Sequence, residues 1–123
     1  MKRAQATEKL CRIIQTIGTA PMPVSVEEVH VFGSYARGAA DCGDLDIILV
    51  TAAPSDEDIA RCPSRTFLDL PDFGKEFRRL LKDSRSERID ILHTHDPSWD
   101  KVGKIERKDC VLIWNGDAAW KER

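Results

Sequence analysis

Hydrophobic residues recur at helical spacing near the start of the chain and in strand-like patterns after it. The segment 4–17 predicts a helix whose buried face carries Leu10, Ile13, Ile14 and Ile17. Gly18 follows and predicts the end of this helix. Apolar and polar residues alternate over 26–32, which is typical of a strand with one buried face. The segment 44–51 is aliphatic over most of its length and predicts a strand buried on both faces.

The second half of the chain predicts further elements of both types. A short acidic helix in 54–63 has Ser55 as its N-cap. A helix over 72–83 and a strand over 88–93 follow it. A further helix is predicted to begin after Asp96-Pro97, with Trp99, Val102 and Ile105 facing inward. The last predicted element is a strand over 111–114. This order predicts an α/β (α+β) fold: a single small domain over residues 1–123, with a mixed β-sheet of about four strands flanked by helices.

Composition fits this picture. A chain of 123 residues with 41% apolar and 33% charged residues suits one domain of ordinary globular character. The longest apolar run, 47–50, is far shorter than a bilayer span, and no apolar signal core follows Met1. Four cysteines without a Cys-x-x-Cys pair suggest free thiols. We therefore expect a cytoplasmic protein without a membrane partner.

Charge is distributed unevenly along the chain. Residues 33–60 carry six acids and one base, whereas residues 61–90 carry eight bases and six acids. The net charge of −2 makes a nucleic-acid partner unlikely. The basic residues of the second segment suggest a solvated surface, with an acidic partner or an RNA as the alternatives. Trp99, Trp114 and Trp120 are interpreted as core or interface residues.

Three aspartates interrupt apolar strands. Asp44 and Asp46 are two residues apart, so the period of a strand places both carboxylates on one face. Asp90 lies between two isoleucines of the next strand and could come alongside. Three neighbouring carboxylates repel one another, and a divalent cation such as Mg²⁺ or Mn²⁺ would relieve that repulsion. The alternative is a set of strand-end aspartates that only make turn hydrogen bonds.

A Gly-Ser pair follows the first predicted strand. Gly33 would let the backbone approach a phosphate closely, and the amide and hydroxyl of Ser34 could donate hydrogen bonds to it. Arg37 lies one helical turn farther on, where it could reach a phosphate or form a salt bridge with a local acid. His93 points away from the Asp90 face if the strand is regular, which argues against a zinc site there.

These residues together resemble the signature of the DNA polymerase β-like nucleotidyltransferase superfamily. The signature is a Gly-Ser pair, a spacer of nine residues here, Asp-x-Asp, and a third acid on a later strand. The likeness is greatest to the minimal, single-domain members called MNT proteins. It implies the nucleotidyltransferase fold, catalytic and metal-binding roles for Asp44, Asp46 and Asp90, and nucleotide phosphate binding by Gly33, Ser34 and Arg37.

The resemblance also implies an activity. Members transfer a nucleoside monophosphate, here AMP from ATP, to a hydroxyl group with the help of two Mg²⁺ ions, or Mn²⁺. Larger members carry an extra acceptor-binding domain, for which this chain has no room, so we expect the acceptor surface on a partner protein or on a homo-oligomer. Many minimal members act as the antitoxin of a HEPN-domain toxin in a toxin–antitoxin pair, and this is the leading expectation. The alternatives are a homodimeric enzyme that modifies a small molecule such as an antibiotic, and a non-catalytic module that binds a nucleotide or a partner.

Overall fold

The fold consists of helices packed against a central sheet. The computed structural model describes residues 1–116, and these form four α-helices and six strands. The helices are α1 (Arg3–Thr19), α2 (Gly33–Ala36), α3 (Asp56–Arg61) and α4 (Phe73–Leu81). The strands are β1 (Val26–Phe32), β2 (Leu45–Thr51), β3 (Ile89–Thr94), β4 (Lys101–Val102), β5 (Ile105–Glu106) and β6 (Val111–Trp114). None of the helices within 1–116 combines the length and the apolar composition that a membrane crossing needs.

The main sheet has four strands in the order β3-β2-β1-β6. β1 pairs antiparallel with both β2 and β6, whereas β2 and β3 are parallel. A parallel pair requires a long crossover, and the segment with α3 and α4 supplies it. The prediction of a small α+β domain with a mixed four-stranded sheet is therefore confirmed.

The sheet is buried on both faces at its centre. On one face, the predicted apolar side of α1 packs against Leu45, Ile47 and Leu49 of β2. On the other face, Ile48 and Val50 pack against Trp99, which is 2% exposed. β2 therefore reads as an almost continuous apolar run, and the prediction that both of its faces are buried is confirmed.

The predicted N-cap of α3 has a physical basis in the structure, whereas α1 continues through Gly18, its predicted end, to Thr19. Ser55 accepts a hydrogen bond from the Asp58 amide, and Asp58 accepts one from the Ser55 amide, which forms a capping box at the start of α3. Asp72 caps α4 by accepting from the Lys75 amide at 2.9 Å. α4 ends at Leu81, earlier than predicted.

The prediction of a helix after Asp96-Pro97 is wrong. The chain forms the antiparallel β4–β5 hairpin instead, in which Val102 pairs with Ile105. The two residues between them form the turn, and Gly103 takes the positive φ of 59° that such tight turns require. Trp99 is nevertheless buried as expected, with its ring edge-on to His30 at a centroid distance of 5.3 Å. Trp114 packs against the core, and Trp120 lies outside the described residues.

Candidate active site

Three carboxylates converge at one end of the sheet. Asp46 pairs in register with Asp90 on β3 and with Phe32 at the end of β1. Asp44 lies immediately before β2, one residue outside the strand that was predicted to contain it. One carboxylate oxygen of each of Asp44, Asp46 and Asp90 lies within 4.8 Å of those of the other two. Within residues 1–116, this is the one group of three or more acidic, His or Cys side chains close enough to share a metal ion.

The local sequence explains why these carboxylates face outward. Leu45 and Ile47 flank Asp46 and are fully buried on the opposite face of β2. Ile89 and Ile91 flank Asp90 in the same way on β3. Because side chains alternate along a strand, burial of these aliphatic neighbours leaves both aspartates on the face away from α1.

The cluster perturbs the ionisation of Asp46. Partial burial, a hydrogen bond shared with Asp90, and the negative charges of Asp90 and Asp44 raise the pKa of Asp46 from 3.8 to about 7. The positive charge of Arg37 opposes this rise in pKa. Near neutral pH, the cluster without a cation therefore carries fewer negative charges than three isolated aspartates would. An added divalent cation favours the fully ionised form.

Gly33 forms the wall of the site on the β1 side. Its φ is +70°, in the region that favours glycine. A Cβ atom added to Gly33 would overlap Oδ2 of Asp46. The backbone of the Gly-Ser turn therefore lies directly against the carboxylate of Asp46, with no room for a side chain between them.

The single-turn helix α2 that follows is fixed to α1 through Tyr35. The Tyr35 ring is 1% exposed, and its hydroxyl lies 2.7 Å from Oγ1 of Thr7. The Arg3 guanidinium lies 4.2 Å from the centre of this ring and donates to the Tyr35 carbonyl oxygen at 2.9 Å. Tyr35 is thus a packing residue that holds the turn in place.

Ser34 and Arg37 lie at the surface of the same turn. Ser34 is partly exposed, and in the part of the chain that the structure describes its hydroxyl has no hydrogen-bond partner. Arg37 is exposed and forms no salt bridge with any described residue, so the alternative of an ion pair with Asp44 is not observed. Arg37 acts on the site through its charge, which lowers the pKa of Asp46.

His93 does not belong to the acidic cluster. Its ring contacts Phe77 of α4 at a centroid distance of 5.8 Å, on the face opposite Asp90. Burial lowers the pKa of His93, the charge of Asp72 raises it, and those of His95 and Arg78 lower it further. Asp96, the other acid near this strand, accepts a hydrogen bond from the Ser98 amide and is likewise outside the cluster.

Sequence reasoning missed the surroundings of Asp90. A cavity of about 490 Å³ borders this residue and brings Arg78 and Lys82 of the α4 region close to Lys104 of the β4–β5 turn. The sequence pattern predicts a solvated surface for Arg78 and Lys82 and a helix for Lys104. The two-residue Gly-Lys turn between Val102 and Ile105 is the signal that could have located Lys104.

Comparisons with known proteins agree with this architecture. A family model described as the DNA polymerase beta palm matches residues 5–70, more than half of the 123-residue chain. A crystal structure of a candidate nucleotidyltransferase from Sulfolobus solfataricus has the same fold. Its TM-score is 0.62, with 20% sequence identity over 97% of this chain and 88% of that chain. No curated protein matches the sequence.

The family match covers the turn at Gly33 and both aspartates of the Asp-x-Asp pair. The chain therefore belongs to the DNA polymerase beta palm family, within the nucleotidyltransferase superfamily.

Proposed function

We propose that this protein moves AMP from ATP to a hydroxyl group on a partner protein, with Mg²⁺ as the cofactor. The observation that carries the proposal is the contact between the Gly33 turn and a cluster of three carboxylates from adjoining strands. A phosphate-binding turn beside an acidic cluster suits a reaction in which a cation and a triphosphate are held together.

The cluster fits divalent cations in its donor set and its charge. All of its donors are carboxylate oxygens, which suit Mg²⁺ and Mn²⁺. Asp44 and Asp46 would hold the cation that accompanies the triphosphate, and all three aspartates would hold a second. Two bound cations would offset charge on the transferred phosphoryl group and lower the pKa of the acceptor hydroxyl.

The residues of the turn have the complementary task of binding phosphate. Gly33 leaves the backbone open to close approach, and the amide and free hydroxyl of Ser34 would donate to the β- and γ-phosphates. Arg37 would add a positive charge beside them. Together these groups would hold the leaving pyrophosphate so that the α-phosphorus is in line with the acceptor.

We further propose a biological role in a toxin–antitoxin pair. In this role, residues 1–123 form a single domain, and a HEPN-domain toxin supplies the acceptor hydroxyl. The cytoplasm, which supplies ATP and Mg²⁺, is the compartment that this role requires. Modification of the toxin and complex formation with it would both inhibit the toxin.

The test is a transfer assay with ATP labelled at the α-phosphate. We expect the label to appear on a purified HEPN-domain protein encoded beside this one, and ATP labelled at the γ-phosphate to leave no label. Asp44→Asn and Asp46→Asn should each reduce transfer by more than ~10³-fold, while circular dichroism shows an intact fold. Transfer to aminoglycosides instead would replace the protein acceptor with a small molecule. Full transfer by Asp46→Asn would exclude the proposed site.

A further inference from the structure

The order of the strands places the acidic cluster between two different surfaces. Gly33 follows β1, Asp46 lies on β2, and Asp90 lies on β3, which is the edge strand of the main sheet. A nucleotide bound at the Gly33 turn, as proposed above, would approach the cluster from the β1 side. The β3 side would then be left for the second reactant.

Two neighbouring cavities with basic walls lie on the β3 side. The cavity beside Asp90 shares Arg78 and Lys82 with a second cavity of about 590 Å³, which extends along α4 to the loop after it. We call the two cavities the basic groove. Its positively charged side chains are Lys75, Arg78, Arg79, Lys82, Arg85 and Lys104.

The positive charge of the basic groove is largely uncompensated. Of its two acids, Asp83 is paired with Arg12 at 2.7 Å, and Asp90 belongs to the acidic cluster. Among the six cations, Arg79 forms the one ion pair found within residues 1–116, with Glu76 at 3.6 Å. The whole chain has a net charge of −2, so this concentration of charge is local. A concave surface of this kind attracts an anionic partner.

Outside the groove, the loop that precedes α4 in the sequence exposes apolar side chains. Phe67, Leu68 and Leu70 are 96%, 65% and 56% exposed. Their loop is ordered by Thr66, whose hydroxyl accepts hydrogen bonds from the amides of Leu68 and Leu70 at 3.3 Å. A preformed loop with three exposed apolar side chains is typical of a surface that binds protein.

We propose that the basic groove binds an acidic segment of the acceptor protein and so presents its hydroxyl group to Asp90. This inference rests on the proposed function, because it assigns the second reactant of the same site. The exposed apolar loop favours a protein over an RNA. The groove itself favours a protein too, since its one aromatic residue, Phe32, is only partly exposed and offers little surface on which bases could stack.

The first test measures binding without ATP or metal. The probe is a fluorescent peptide that is rich in Glu and contains one Tyr, compared with a Lys-rich peptide of equal length and a single-stranded RNA of equal charge. We expect the acidic peptide to bind best, and the double variant Arg78→Glu, Lys82→Glu to weaken its binding by at least ~10-fold. The conservative double variant Arg78→Lys, Lys82→Arg should retain it. The double variant Lys2→Glu, Lys108→Glu reverses two exposed charges outside the groove and is the control with the same change in net charge.

The second measurement separates this inference from the proposed function. Calorimetry should show that the charge-reversed double variant still binds Mg²⁺-ATP with the wild-type affinity. Preferential RNA binding, or no peptide binding, would overturn the inference. So would a variant that loses ATP affinity but keeps peptide affinity, because the groove would then hold the triphosphate. If the peptide binds as expected but no acceptor is ever labelled, the proposed function fails, and what remains is the affinity of the groove for acidic segments without a role in transfer.

Discussion

Replacing Asp46 with Asn should stabilise the metal-free protein at about pH 8 and leave its stability almost unchanged at about pH 4. The folded carboxyl has a pKa of about 7 instead of 3.8, so between these values the folded state keeps a proton that the unfolded chain has released. The free energy of unfolding contributed by this group is fully present below pH 3.8 and is lost as the pH rises through 7. Asparagine cannot ionise, and the free energy of unfolding of the variant therefore does not fall in this pH range because of residue 46.

The size of the effect follows from the shift in pKa. A rise of about 3 units corresponds to ~4 kcal/mol, at about 1.4 kcal/mol per unit. Asp46 is only partly buried, and solvent screens the repulsion from Asp44 and Asp90. We therefore expect a gain of ~1–2 kcal/mol for Asp46→Asn at about pH 8.

The assay is urea denaturation in the presence of a chelator at several pH values, with Asp100→Asn as the control. Asp100 is an exposed aspartate that lies outside the acidic cluster. The difference in unfolding free energy between Asp46→Asn and wild type should grow from about pH 4 to about pH 8, while the control difference stays flat. Mg²⁺ should then stabilise the wild type more than the variant. A pH-independent difference would refute the raised pKa of Asp46 on which this prediction rests.

Three further predictions concern the other residues of the site. Gly33→Ala should destabilise the fold by ~1–3 kcal/mol and abolish ATP binding, because the added Cβ meets Asp46 and alanine disfavours the backbone conformation of Gly33. Thermal melts measure the stability and calorimetry measures the ATP affinity. A variant with wild-type stability and ATP affinity would contradict the contact between Gly33 and Asp46. Ser34→Ala should raise the KM for ATP by an amount equivalent to ~1–2 kcal/mol with kcat nearly unchanged, whereas a wild-type KM in steady-state assays would show that Ser34 only shapes the turn. Asp90→Ala should bind Mg²⁺-ATP almost normally yet lose at least ~10²-fold in kcat, and full turnover would remove Asp90 from the site.

The elements that sequence predicts well are those whose apolar pattern is long. α1 buries five apolar residues on one face, and β2 is aliphatic over almost its whole length, so the sequence pattern alone predicts which of their residues are buried. β4 and β5 contain two residues each, which is too short for any period to be visible. These two strands form because of the turn at Gly103 and because they pack against the sheet. The spacing of three residues between Trp99, Val102 and Ile105 is also typical of a helix, which is why the sequence predicted one here.

The residues of the candidate site also differ in how far the sequence predicts their positions. Asp44 and Asp46 are two residues apart in the sequence, so the chain itself keeps them close, although Asp44 lies just before β2 and not within it. Asp90 joins them through the parallel register of β2 and β3, which the sequence suggested by placing an aspartate in a second aliphatic strand. The basic groove unites α4 with the β4–β5 turn, and only the tertiary fold brings Arg78 close to Lys104.

The alternation of buried and exposed side chains along β2 also links formation of the acidic cluster to correct folding. Sliding β2 by one residue against its neighbours would turn Asp46 towards α1 and expose Leu45 and Ile47, which are fully buried. A misaligned chain would lose its acidic cluster and much of its apolar core in the same step. Correct placement of the carboxylates is thus enforced by the free energy of folding itself, and stably folded molecules that lack the cluster should be rare in any preparation.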